Sequence, residues 1–201
     1  SSAKMIFSLG LTGSIGMGKS TTAKLFAEAG CAVWDADAAV HRLYDIGGAA
    51  VDAMQSQFPE AIKEGRVNRM ALKAIIGKSD NALKNIEKIV HPLVAQDREA
   101  FRNAAESDIL VFDIPLLFET GGYTEMDAVA CVSIDAETQK KRVLERGTMT
   151  LEQFQQILQK QMPIEEKTAR SDYVIITDTL EHARVQVDRV LKDNREKIAN
   201  A

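Results

Sequence analysis

The sequence predicts a doubly wound α/β domain, with a parallel five-stranded sheet, a helical insert and a helical lid. Two observations predict it. Five short apolar runs are separated by stretches with helical spacing of their apolar residues. The first two runs are joined by a glycine-rich loop and one helix, an order that calls for a right-handed crossover between parallel strands.

Each element follows in order. Met5 to Leu11 is the first apolar run. Lys19 to Ala29 has helical character, and Gly30 suits its C-terminal cap. Cys31 to Trp34 reads as a second strand that stops at Asp35. Asp37 to Tyr44 reads as a helix, broken by Gly47 and Gly48, and Ala49 to Gln57 as the next. Arg69 to Ile76 is another helix, with Asn68 as its N-cap. Ser79 to Asn103 is the longest, with Leu83, Ile86, Val90, Leu93 and Val94 at helical spacing. Pro92 is expected to kink or divide it. Ile109 to Phe112 returns to the sheet and ends at Asp113; Ala128 to Ile134 and Tyr173 to Thr177 complete it. Leu180, Ala183, Val187, Val190 and Leu191 give a closing helix its apolar face. The expected organisation is one unit over 1–201. Its core covers about 5–35, 106–139 and 172–194, with an insert over about 36–105 and a lid over about 140–171.

Composition narrows the functional class. The chain has 201 residues, 45% hydrophobic and 27% charged, as in an ordinary globular protein. A net charge of −4 argues against a general nucleic-acid binder. No apolar stretch approaches the roughly 18–20 residues of a membrane span. Ser1 to Ala3 read as a remnant ahead of a native start near Met5, and the opening residues lack a signal peptide. Cys31 and Cys131 lie in apolar runs and read as buried free thiols. The expectation is a cytoplasmic protein without membrane or nucleic-acid partner, a monomer or weak homo-oligomer.

The chemistry starts at Gly13-Ser14-Ile15-Gly16-Met17-Gly18-Lys19-Ser20, which fits G-x-x-x-x-G-K-[ST]. Glycines let backbone amides converge on phosphate oxygens, and the following helix points its amides and positive dipole end at the same place. Lys19 is placed to neutralise terminal phosphates and Ser20 to ligate Mg²⁺. The loop sits between a strand and a helix, the context this motif requires. No guanine-reading N-K-x-D segment is present. Asp35 and Asp37 follow the second strand, where open α/β sheets form their ligand crevice. One of them can orient and deprotonate an attacking hydroxyl, or Asp37 can simply cap the next helix. Asp113 ends the third strand, where a carboxylate can hold Mg²⁺ or turn the chain before Pro115. Leu116, Leu117 and Phe118 are core plugs or one wall of an acceptor pocket. Arg142 and Arg146 share a helix face ahead of the helical excursion, either as a solvated basic face or as part of a lid that closes over a nucleotide. His41 is four residues past Asp37 and can face the same cleft; His91 precedes Pro92 and can contact substrate; His182 reads as a surface residue.

The ordered set "GLTGSIGMGKST", "DADAAVH", "IVHPLV", "DIPLLFETG", "RVLERGTMTLEQFQQILQKQMP" and "ARSDYVIIT" resembles the dephospho-CoA kinase family from about Ile6 to Val190. The resemblance implies a P-loop kinase core, a helical CoA-side insert and a lid. It implies transfer of the γ-phosphate of ATP, as co-substrate with Mg²⁺, to the ribose 3′-hydroxyl of dephospho-CoA. On that resemblance Gly16 to Thr21 bind ATP phosphates, Asp37 is the base, and Asp35 helps bind acceptor or metal. Arg142 and Arg146 act from the lid, His91 and Leu116 to Glu119 lie on the acceptor side, and Thr177 and Asp178 lie near the adenine. The family usually has glycine where this chain has Ser14, so a left-handed conformation there would strain the serine. It often has asparagine near position 177, where this chain has threonine. Other small-molecule P-loop kinases share the loop and the acidic pair but do not explain "DIPLLFE". A non-enzymatic nucleotide-dependent module would bind ATP without turnover.

Overall fold

The computed structural model describes residues 5–201; the remnant read at Ser1 to Ala3 lies outside them. In chain order the regular elements are β1 (Phe7–Thr12), α1 (Lys19–Glu28), β2 (Ala32–Asp35), α2 (Ala36–Tyr44), α3 (Ala49–Gln57), β3 (Ile62–Lys63), β4 (Arg66–Val67), α4 (Arg69–Lys78) and α5 (Ala82–Ala104). They continue as β5 (Ile109–Asp113), β6 (Ala128–Ser133), α6 (Ala136–Glu145), α7 (Leu151–Lys160), α8 (Ile164–Arg170), β7 (Tyr173–Ile176) and α9 (Leu180–Ala199). The chain divides into two compact units: residues up to Trp34 with Ala105–Ala201, and Asp35–Ala104.

The first unit is built on a five-stranded sheet in the order β2-β5-β1-β6-β7. β1 runs parallel to both β5 and β6, pairing Leu11 with Asp113 and Thr12 with Cys131, and β6 runs parallel to β7. The strands carry continuous apolar runs because both faces are covered: every residue of β1 and β5 is buried. Leu9, Leu11, Phe26, Ile109, Val111 and Ile175 anchor the core against α1 and α9. Phe26 has no exposure, so burial of its ring contributes about 1.5–3 kcal/mol. α9 turns Ala183, Val187, Val190 and Leu191 inward, whereas Leu180, read as part of that stripe, is 53% exposed at the first turn. Cys31 and Cys131 are free and buried. Burial raises both thiol pKa values to about 11, against the partial opposition of Arg195 and Lys167 respectively.

The second unit packs α2 to α5 around Met54, Ala61, Val67, Leu72, Ile86 and Val90. Asn68 caps α4 by accepting from the Ala71 amide at 2.9 Å. Pro92 neither divides α5 nor ends it: one helix runs through it, with the stripe of Ile86 and Val90 continuing into half-buried Val94. Leu83, read as part of the stripe, is 47% exposed; Ala82 takes the buried position instead. Sequence reading missed the antiparallel pair β3 and β4, which joins Ile62 to Val67 and Lys63 to Arg66. Two-residue strands have no measurable period. Their signal is the turn Glu64-Gly65, where both residues take positive φ, at 55° and 78°, as a tight hairpin requires. Among the described residues no helix is long and apolar enough to cross a membrane.

Candidate active site

β1 delivers the chain at Thr12 into the glycine loop, and α1 receives it at Lys19. Gly16 and Gly18 take φ of 75° and 84°, which an L side chain adopts only with strain. Gly16 also has no room: a Cβ there would lie 2.5 Å from Val143 Cγ2. Gly18 is the N-cap of α1 and offers no capping side chain. The first-turn amides of α1 are therefore left to an outside acceptor, with the positive end of the helix dipole behind them.

Ser14 is not in the left-handed region; Glu64 is the only non-glycine residue with positive φ among those described. The strain considered for it is absent. Its side chain instead donates to Gln161 Oε1 at 3.1 Å and accepts from Gln139 Nε2 at 3.2 Å. Met17 is 1% exposed and belongs to the core, so only its backbone can serve the loop. Ile15 is half-buried, and Ser20 and Thr21 are exposed at the head of α1.

Lys19 and Asp113 are brought together: the Lys19 ammonium donates to Asp113 Oδ1 in an ion pair whose carboxylate is 4% exposed. The residue read as the phosphate's cation, at the start of α1, thus meets the one read for Mg²⁺, at the end of β5. Beside them a cavity of 210 Å³ collects Gly18, Thr21, Arg142, Arg146, Thr177 and Asp178. Arg142 is fixed there, its Nη1 donating to Thr177 Oγ1 at 3.2 Å and its Nη2 to Thr177 O at 2.6 Å. His182 sits 2.7 Å from Asp178, and this contact, before the Thr179 amide, holds the Asp178 carboxyl below its ordinary value. His182 is exposed, as the surface reading expected. Leu180 lines the same cavity and was missed because its spacing matched a core stripe.

The segment after β5 needs the largest correction. Leu117 and Phe118 are 0% and 5% exposed and pack with Val129 as core, so their side chains are plugs. Arg170 lies over the Phe118 ring at 5.0 Å. Glu119 accepts from the Met162 amide at 3.1 Å and pairs with Lys167 Nζ at 3.1 Å. Both of these contacts fall on Oε2, whereas Oε1 is buried without a hydrogen-bond partner. Of the four residues only Leu116, 42% exposed, faces outward. Lys167 was not singled out, since a lone lysine in a charged helix reads as solvated; it is fully buried.

In the second unit, Asp35 caps α2, accepting from the Ala38 amide at 3.1 Å. The cap is therefore Asp35 and not Asp37, which stands exposed in the first turn. His91 is exposed on α5. His41 lines a cavity of 440 Å³ with Tyr44, Lys63, Arg66 and Arg69. Arg69 lies 5.3 Å over the Tyr44 ring. Burial raises the Tyr44 hydroxyl pKa, and Arg69 offsets part of the rise. Among the described residues no cluster of three or more His, Cys, Asp or Glu could hold a metal ion alone.

A phosphate loop on a five-stranded parallel sheet, with a lysine–carboxylate pair and a flanking arginine-lined cavity, defines a P-loop kinase of the small-molecule class. The particular family follows from comparison with known proteins. The family model described as Dephospho-CoA kinase matches residues 7–182. A dephospho-CoA kinase of Ruegeria pomeroyi is 65% identical over 191 residues, covering 95% of this chain and 97% of that protein. A crystal structure from Thermus thermophilus superimposes with a TM-score of 0.85 at 29% identity, covering 94% of this chain and 98% of that one. A dephospho-CoA kinase from Campylobacter jejuni superimposes with a TM-score of 0.67 at 26% identity, covering 92% and 96%. The chain belongs to the dephospho-CoA kinase family.

Proposed function

We propose that this chain transfers the γ-phosphate of ATP to the ribose 3′-hydroxyl of dephospho-CoA, giving CoA and ADP. The observation that carries the reading is the cradle itself, with positive-φ glycines, an uncapped helix start, the Lys19–Asp113 pair and an adjoining cavity lined by Arg142 and Arg146. Family membership supplies the acceptor. The loop amides from Gly16 to Thr21 hold the phosphates, and Lys19 leaves Asp113 to neutralise them as ATP enters. The Ser20 hydroxyl and the Asp113 carboxylate make an all-oxygen donor pair that suits Mg²⁺, with the phosphates themselves as further ligands. Held there, Mg²⁺ would supply positive charge against the charge that develops on the transferred phosphate. Asp37 takes the proton of the 3′-hydroxyl, and Asp35 holds the start of α2 beneath it. Arg142 and Arg146 steady the nucleotide and screen the transferred group from water. His41, His91 and Leu116 serve the acceptor side. The buried Leu117 and Phe118 support that loop from beneath.

The test is an acceptor panel with ATP and Mg²⁺, read by mass spectrometry: dephospho-CoA is converted, and nucleosides and nucleotides are not. Asp37→Asn abolishes conversion while ATP still binds. Conversion of a nucleoside in preference to dephospho-CoA, or an Asp37→Asn protein with full activity, would sink the assignment.

A further inference from the structure

We infer that Gln139, Lys167 and Thr177 are positioning residues that hold the phosphate loop open to its anion by taking its alternate carbonyls. The inference rests on the nucleotide-binding reading and adds what keeps the cradle in its binding shape. A loop presents amides to a phosphate only where its carbonyls, dipoles of the opposite sense, face elsewhere. Here the Gly13 carbonyl accepts from Lys167 Nζ at 3.2 Å, the Ile15 carbonyl from Gln139 Nε2 at 2.8 Å, and the Met17 carbonyl from Thr177 Oγ1 at 2.7 Å. Between them the Ser14 carbonyl accepts from the Met17 amide at 3.3 Å.

The choice of carbonyls is informative. Ile15 O and Met17 O belong to the peptide units that precede Gly16 and Gly18, the two loop residues with positive φ. A peptide followed by glycine flips at low cost, since glycine accepts either sign of φ. Those two units are the ones most free to turn a carbonyl toward the phosphate, and each is pinned by a side chain from a distant element. The donors come from α6, α8 and the end of β7, up to 160 residues away in sequence. They are fixed in turn. Gln139 is 5% exposed and also donates to Ser14 Oγ. Lys167 is fully buried against Glu119 and the Pro115 carbonyl. Thr177 is 8% exposed and accepts from Arg142.

Gln139→Met removes one donor at similar volume, at a residue outside the nucleotide cavity. Titration calorimetry with ATP and with inorganic tripolyphosphate, ligand-observed NMR with adenosine, and thermal unfolding read the result. Both phosphate ligands are expected to bind roughly tenfold more weakly, the value of about one lost hydrogen bond to a buried carbonyl. Adenosine binding stays as in the wild type, the unfolding temperature falls by only the few °C that two lost buried hydrogen bonds cost, and KM for ATP rises while kcat changes far less. Thr177→Val repeats the loss of tripolyphosphate binding and Thr177→Ser restores it. Variants that bind tripolyphosphate as the wild type does overturn the inference. So do variants that lose adenosine, tripolyphosphate and thermal stability together, because that is plain packing. A wild-type protein that binds neither ATP nor tripolyphosphate overturns the nucleotide reading as well, which separates the two failures.

Discussion

Lys167→Met is the perturbation whose cost the structure defines best. The side chain has no exposure, and its ammonium meets Glu119 Oε2 at 3.1 Å and the carbonyls of Gly13 and Pro115 at 3.2 Å each. Glu119 is 18% exposed on its side chain, and its Oε1 is already buried without a hydrogen-bond partner. Methionine fills the volume but leaves that carboxylate with the Met162 amide alone. Removing one member of a buried ion pair costs about 3–5 kcal/mol. At 2–4 °C per kcal/mol for a chain of this size, the unfolding temperature falls by about 6–20 °C. Adding Glu119→Gln to Lys167→Met removes the stranded charge and is expected to return about half of the loss. Urea and thermal unfolding of the wild type, the single variant and the double variant measure both steps. A single-variant loss below about 1 kcal/mol, the level of an exposed ion pair, would refute the reasoning. So would a double variant no more stable than the single one.

Three further outcomes are expected. Gly16→Ala brings a Cβ to 2.5 Å from Val143 Cγ2 at a φ of 75°; it should cost about 1–3 kcal/mol and abolish ATP binding, read by thermal unfolding and titration. Ser14→Gly should lower stability by about 1 kcal/mol, because the serine is unstrained and its hydroxyl bonds to Gln139 and Gln161 are lost; a gain in stability on thermal unfolding would mean that strain is present after all. Cys31 and Cys131 should resist a thiol reagent at about pH 8 in the native protein and react once it is unfolded. Their pKa values rise from 9.0 to about 11 on folding, so the folded state favours the neutral thiol. Their contribution to stability is whole below pH 9 and is lost as the pH rises through about 11, which urea midpoints across that range would show.

What was legible in the sequence was local. The sheet strands announced themselves as continuous apolar runs, α3 by its glycine start, and the cradle by residues adjacent in the chain. What was not legible depends on partners far away. Lys167 looks like any lysine of a charged helix until Gly13, 154 residues distant, is beside it. Leu117 and Phe118 sit in a loop, and only the fold shows β6 covering them. Thr177 was placed near the adenine by the family resemblance alone; that its hydroxyl donates to Met17 O, 160 residues away, has no signal in the sequence. Spacing also misled at Leu83 and Leu180, where helical period and exposure disagree at helix starts.

The most direct measurement of the central claim follows the phosphate. ATP labelled with ¹⁸O at the γ-phosphate is incubated with the protein, Mg²⁺ and dephospho-CoA, and the product is fragmented in a mass spectrometer. The label is predicted on a phosphate at the ribose 3′-oxygen, in step with ADP release. Label found only in inorganic phosphate, or at any other oxygen of the acceptor, would contradict the account.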